Sequence, residues 1–233
     1  MIRYLFLFMI GACFGSFAEC MASRYASFDT YSGRSRCDHC GHKLTFRELV
    51  PVFSFLFSKG RCAYCAGKIP ASCLLSELFA GIGLCMIAGK CGINAEFFAY
   101  AAFFGVSMFL ALCDRKTMTV PAAGLVLCVL AGILRRAKTG IDAQEIFLDV
   151  MAGAGWIILC LAESRIFHRE SAGIGDGFYL AAAGLALSGR IAAGGLIAGS
   201  LIGITECLLT QNRKIPFLPS LAEGLFLVWI WKG

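Results

Sequence analysis

Apolar residues in this chain run in long blocks, and polar residues gather in the gaps between them. Blocks of about 17–25 predominantly apolar residues are what helices need to cross a bilayer. The pattern predicts such helices over 4–22, 72–89, 93–113, 118–134, 145–162, 176–188, 191–209 and 217–231. The two between 176 and 209 are the least sharply divided. Both are rich in Gly and Ala, and only "SGR" at 188–190 marks a turn, so the count is seven or eight. The first block follows a single arginine and ends in small residues, as a signal peptide does. It is long for a signal core and no soluble mature domain follows it, so it is taken as a span.

Composition strengthens this picture. The chain is 58% hydrophobic and 15% charged, against roughly 25% charged residues in soluble domains, and its mean hydropathy is +0.75. The expected fold is an all-α polytopic membrane protein of about eight transmembrane helices. Lys and Arg of the short loops concentrate on the side that holds 23–71, with Arg115, Lys116, Arg165, Arg169, Arg213 and Lys214. Arg135, Arg136 and Lys138 fall on the other side. The positive-inside rule therefore puts 23–71 in the cytoplasm and the N-terminus outside. The net charge of +6 then follows from topology, and no nucleic-acid partner need be invoked.

The one sizeable polar segment, 23–71, divides an N-terminal region (1–92) from a membrane-embedded remainder (93–233). It carries "RCDHCGHKL" and "GRCAYCAGK", so Cys37 and Cys40 form one CxxC and Cys62 and Cys65 another. A two-residue spacer lets both sulfurs reach one ion, and two such knuckles supply four thiolates to a tetrahedral zinc. Disulfides are the alternative, which a reducing cytoplasmic loop disfavours. His39 and His42 stand near enough to replace a thiolate, although a hydrated position in the loop explains each of them better. So short a segment buries little core, and metal binding would supply much of its folding energy. The apolar run 49–57 is too short to span, contains Pro51, and is expected at the membrane interface or packed on the cysteine loop. The remaining cysteines are scattered singly and suit apolar packing.

More than half of the 15 acids lie in or beside the proposed spans: Glu19, Glu77, Glu96, Asp114, Asp149, Asp176, Glu206 and Glu223. A carboxylate at mid-membrane costs roughly 2.5–3.5 kcal/mol on insertion scales, so each needs a polar partner, water or a proton. Asp114 ends one span in "FLALCDRKTMTVP" and Asp176 begins another in "GIGDGF". By the topology above both reach the inner face. Two acids sharing one site hold a proton between them, so that one activates water while the other stays protonated. Gly173 and Gly175 would then permit a backbone turn and the close approach of an extended substrate. Equally, Asp176 caps its own helix and Asp114 the one after it, as acids at helix starts do.

Six fragments in order resemble bacterial prepilin peptidases, the type IV leader peptidases of the GxGD aspartic class. "GACFGSFAECMASR" resembles the first-span GSF motif, and the 36–69 segment resembles the four-cysteine loop. "SELFAG" resembles the Glu-containing next span. "CDRKTMTVP" and "GIGDGF" resemble the two aspartate motifs, and "IPFLPSLAEG" the closing segment. The resemblance covers nearly the whole chain. It implies an inner-membrane endopeptidase domain over 93–233 that uses Asp114 and Asp176 at the cytoplasmic face to remove the basic leader of a prepilin or pseudopilin. Type IV pili and type II secretion use such substrates. It implies a site shaped by Gly173, Gly175, Pro121 and Pro216, and zinc on Cys37, Cys40, Cys62 and Cys65. In many members the N-terminal half also N-methylates the new terminus with S-adenosylmethionine. The expected partners are the substrate protein and membrane lipid.

Three departures bear on these expectations. Glu19 stands where the family has Asn, which touches the methyltransferase more than the protease. Phe178 replaces a common Lys, a loss Arg115 or Lys116 could offset, and Leu218 and Ser220 alter the closing motif. A membrane scaffold that docks a partner through the cysteine loop, without protease activity, is the alternative function. A proton-relay transporter is a third.

Overall fold

The computed structural model describes residues 2–27, 33–139, 143–167, 173–211 and 214–232. Arg169 and Arg213, used above to assign the inner side, lie outside them. Among the described residues the chain is helical, with two isolated β-bridges and no strand, and it forms two compact units, Met1–Gly89 and Lys90–Gly233. The helices are α1 (Ile2–Ser27), the short α2 (Phe53–Phe57), α3 (Ala71–Cys91), α4 (Ala95–Thr117), α5 (Ala122–Thr139), α6 (Ala143–Phe167), α7 (Ile174–Ala186), α8 (Gly189–Thr210) and α9 (Phe217–Lys232).

A helix occupies each predicted apolar block, because a buried backbone must satisfy its own N–H and C=O groups. The doubtful pair at 176–209 is two helices. Leu187 ends α7, and the Ser188 hydroxyl opens α8 by accepting the Ile191 N–H at 3.4 Å. Among the described residues four helices, α1, α3, α4 and α8, are long and apolar enough to cross a membrane. That is fewer than the eight expected. α7 has 13 residues and α9 has 16, short of the roughly 20 that a span needs, and α5 carries Arg135, Arg136 and Lys138 towards its end.

In the first unit α1 and α3 meet through small residues. A Cβ on Gly11 would lie 2.5 Å from the Ala80 carbonyl oxygen, and one on Gly15 would lie 2.5 Å from that of Ser76. This Gly-x-x-x-Gly spacing lets two backbones touch. One turn beyond Gly15, buried Glu19 accepts a hydrogen bond from the Ser72 hydroxyl at 3.1 Å. The run 49–57 does not pack on the cysteine loop throughout, since Phe53, Leu56 and Phe57 of α2 are exposed. Before α2, Val52 sits at φ 65, ψ −53, and the Phe53 N–H donates to the Pro51 carbonyl at 2.7 Å. This is a γ-turn of the strained hand, costing on the order of 1–3 kcal/mol for a β-branched residue. It aims the Val52 N–H at Oε2 of buried Glu77, 2.6 Å away.

In the second unit α7 packs against α5, α6 and α8, while α9 packs on α8 and α4. Small residues make this closeness achievable: a Cβ on Gly177 would lie 2.5 Å from Ile157, and one on Gly153 2.5 Å from the Gly177 carbonyl oxygen. Tyr179, fully enclosed, stacks on Phe103 with ring centroids 6.0 Å apart. At one end of the bundle the buried Asp149 carboxylate pairs with Arg136 and accepts the Gly189 N–H, joining α5, α6 and the start of α8.

Candidate active site and metal centre

Asp114 lies in the last turn of α4 and Asp176 in the first turn of α7, both buried at 6% exposure. Their carboxylates are near enough to interact electrostatically. α4 closes at Met118, whose left-handed backbone (φ 51, ψ 31) brings its N–H to the Asp114 carbonyl at 2.8 Å. The Asp114 side chain accepts the Leu218 N–H at 3.2 Å. Leu218 is in the first turn of α9, where N–H groups lack intrahelical partners. Asp114 thus caps a helix, but the distant α9 and not α5, which follows it. The N-cap of α7 is Gly173, which has no side chain, and its backbone N–H faces the Asp176 carboxylate, so Asp176 answers the start of its own helix as expected. An acid in that first turn suits the helix dipole.

Neither glycine supplies the special backbone turn expected of it. Gly173 has φ −78 and ψ 128, open to any residue, and Gly175 lies inside α7. What Gly173 provides is room, since a Cβ there would come within 3.2 Å of Asp176 Oδ2, whereas one on Gly175 would make an ordinary 3.5 Å contact with Val120. Pro121 and Pro216 immediately precede α5 and α9 and set where these helices begin. Arg115, expected to offset the missing lysine, pairs with Glu206 at 3.5 Å instead. Phe178 is 54% exposed.

Sequence reasoning missed Trp156 and Phe217. Trp156 of α6 stacks on Phe217 at 5.3 Å, and its indole N–H donates to the Gly173 carbonyl at 3.4 Å. One side chain therefore braces the starts of both α7 and α9, the two helices that carry Asp176 and the amide on Asp114. Its only signal in the sequence is an aromatic residue amid Gly and Ala. Glu206 was noted as an acid but not for what it joins: besides Arg115, its Oε2 accepts the Ser220 hydroxyl at 3.4 Å.

The four cysteines of the first unit converge, with all sulfurs within 4.8 Å of one another and Cys37 Sγ 3.8 Å from Cys65 Sγ. A tetrahedral ion about 2.3 Å from each sulfur sets them about 3.8 Å apart, so the donor set fits zinc. No disulfide joins any of these cysteines. The knuckles repeat one design. Cys37 N–H bonds to His42 O and Gly41 N–H to Cys37 O, as Cys62 N–H bonds to Gly67 O and Ala66 N–H to Cys62 O, all at 2.9 Å. Amides of Cys40 and His39 aimed at Cys37 lower its thiol to about 7, which favours the thiolate a metal requires. Neither histidine joins the cluster. His42 stacks on Tyr64, and His39 lies 3.3 Å from the Lys68 carbonyl oxygen.

Beside this cluster, within the first unit, lies a cavity of about 520 Å³ lined by both acids and bases, Glu19, Glu77, Arg36 and Arg61 among them.

Residues 9–91 match the family described as Bacterial Peptidase A24 N-terminal domain. The chain is 30% identical to the prepilin leader peptidase/N-methyltransferase of Bacillus subtilis (strain 168), over 97% of this chain and 93% of that protein. It is 31% identical to the protein of the same name in Myxococcus xanthus (strain DK1622), over 88% of this chain and 64% of the relative's length. Against that of Dickeya chrysanthemi it is 27% identical over 87% and 72%. The class is thus that of bacterial A24 peptidases, and the chain belongs to the prepilin leader peptidase/N-methyltransferase family. No solved structure matches it.

Proposed function

We propose that the protein is an inner-membrane aspartic endopeptidase that removes the leader of a prepilin or pseudopilin at the cytoplasmic face, and that it also N-methylates the new terminus. The observation that carries the reading is the buried pair Asp114 and Asp176, brought within electrostatic reach by the ends of α4 and α7. Two carboxylates so placed hold one proton between them. The ionised one takes a proton from water as it attacks the scissile carbonyl, and the protonated one hydrogen-bonds to the carbonyl oxygen. The proton then passes to the leaving amine, and the pair titrates as a unit.

In this reading α1, α3 and α4 to α9 all lie in the membrane, the shorter helices as parts of a bundle, and the cysteine loop faces the cytoplasm. Zinc on Cys37, Cys40, Cys62 and Cys65 holds the two knuckles together and takes no part in peptide scission. S-adenosylmethionine would supply the methyl group. The substrate's apolar segment arrives through lipid, and its cut site comes to rest where Gly173 leaves room beside Asp176.

The test is mass spectrometry of a prepilin incubated with the purified protein, with and without S-adenosylmethionine. Cleavage is expected in the wild type and should fall by at least about 10³-fold in Asp114→Asn and in Asp176→Asn, since neither acid alone completes the water-activating pair. Full cleavage by either variant, with the protein still inserted, removes the dyad mechanism.

A further inference from the structure

We propose that α2 and the 3₁₀ turn before it, Phe46–Leu49, form an interfacial anchor that seats the cysteine loop on the anionic lipid of the inner leaflet. The inference rests on the reading that α1 and α3 span the membrane with the loop at the cytoplasmic face.

Apolar side chains crowd the outside of this insert in an otherwise polar segment. Phe46 is 83% and Phe57 84% exposed, and Leu49, Phe53 and Leu56 are exposed between them. Single exposed apolar residues need no explanation, but a contiguous group of them marks a docking surface. Phe53 and Phe57, one turn apart on α2, stack with ring centroids 6.5 Å apart, so they present one aromatic face.

The hydrogen bond between Val52 and Glu77 fixes the level of that face. Glu77 lies about 9 Å from the start of α3 at 1.5 Å per residue, and a helical side chain leans back toward the N-terminus. The Val52 N–H, 2.6 Å from Oε2, therefore stands beside the first turns of α3 and not beyond its end. The γ-turn at Val52 starts α2 at this same level. On α3 itself Leu75, Phe79, Ile82 and Met86 are exposed at helical spacing, a stripe that faces lipid in the spanning reading. It begins level with Val52, so α2 lies where the hydrocarbon starts, and a protein occupant would have to displace lipid from that place.

Charge identifies which lipid. Lys43, Arg47 and Lys59 flank the apolar residues and are all exposed. The one acid of the run, Glu48, is occupied by the Thr45 N–H and hydroxyl, each at 2.8 Å. Apolar residues bracketed by bases suit a segment at the headgroup boundary, its apolar side chains about 5–10 Å deep and its cations among anionic phosphates. The anchor and the Val52–Glu77 bond together tie the cysteine loop to the membrane where α3 enters it.

Photocrosslinking tests the occupant directly. The full-length, zinc-loaded protein is prepared with p-benzoylphenylalanine in place of Phe57, of Ile82 or of Tyr64, in nanodiscs of phosphatidylethanolamine with a minority of phosphatidylglycerol. After irradiation, lipid adducts are quantified by mass spectrometry. Phe57 is expected to give acyl-chain adducts at a yield near that of Ile82 and at least about fivefold above that of Tyr64, which is exposed in the second knuckle. Phosphatidylglycerol should be enriched among the Phe57 adducts at least about twofold over its share of the disc, and Arg47→Gln with Lys59→Gln should remove the enrichment. Retained zinc stoichiometry shows that each variant keeps its loop folded. Adducts of Phe57 with protein instead of lipid, a yield no higher than at Tyr64, or no phosphatidylglycerol enrichment would overturn the anchor, while lipid adducts at Ile82 leave the spanning reading standing. Absence of lipid adducts at Ile82 as well would overturn both.

Discussion

Cys37 and Cys40 meet Cys62 and Cys65 within a single polar segment, each pair held in a turn whose hydrogen bonds close over a few residues. Asp114 accepts the Leu218 amide and comes within electrostatic reach of Asp176 only when the ends of α4, α7 and α9 have come together. The first site is built from two copies of a local motif, and the second from helix packing over most of a domain. The first should therefore depend on its ligand and the second on its interhelical braces. Each dependence can be tested separately.

The largest effect is expected at the cluster. Structural zinc contributes an apparent ~10–16 kcal/mol in small zinc-binding peptides, and the segment has little core of its own. Cys62→Ser should abolish stoichiometric zinc, measured by elemental analysis, and expose residues 33–70 to limited proteolysis. Leader cleavage should fall less than about tenfold, because a structural zinc takes no part in peptide scission. A loss of cleavage as deep as that of an aspartate variant would favour a scaffold role for the loop and erase the contrast between the two sites.

The braces come next. Trp156→Ala removes both the stack on Phe217 and the bond to the Gly173 carbonyl. A displacement of about 1 Å in a catalytic group can cost 10²-fold in rate, so kcat/KM for leader removal should drop ~10- to 100-fold with zinc stoichiometry unchanged. Trp156→Phe keeps a stacking ring and should recover most of the activity. An unaltered rate in Trp156→Ala would mean that the starts of α7 and α9 hold their places without it.

The same contrast decides what could be read from the sequence. The apolar blocks predicted a helix at each position, because burial of continuous apolar surface is written in local composition. The CxxC pairs placed the four converging sulfurs for a similar reason, since their geometry is set over a few residues. Asp114 and Asp176 carried local motifs, but nothing local linked Asp114 to Leu218 in a helix far along the chain, or Trp156 to both helix starts. The glycines of "GIGDGF" suggested a special turn where the backbone adopts ordinary angles. Space beside the acid was the actual requirement, and only packing reveals it. The strained Val52, held between Pro51 and Phe53, leaves no mark in composition at all.

The smallest effect tests whether the two knuckles are equivalent. Gly41 (φ 69) and Ala66 (φ 55) occupy the same place, just after the second cysteine of each knuckle, and both are left-handed. Glycine adopts that conformation freely, whereas an L-residue with a Cβ pays roughly 1–2 kcal/mol. Against this, glycine loses ~0.4–1 kcal/mol more on folding through the freedom of the unfolded chain. The balance predicts that Ala66→Gly stabilises the cluster by about 0.5–1 kcal/mol and that Gly41→Ala destabilises it by a similar amount. Zinc-chelator competition reads both as opposite shifts in the chelator concentration that removes half the metal. The contacts around the turns differ, because a Cβ on Gly67 would strike the His39 ring at 2.6 Å while its counterpart His42 stacks on Tyr64. If the backbone alone governs the turns, the two shifts are equal and opposite despite that difference. Shifts of the same sign would show that ring packing, and not the repeated turn, sets the stability of the site.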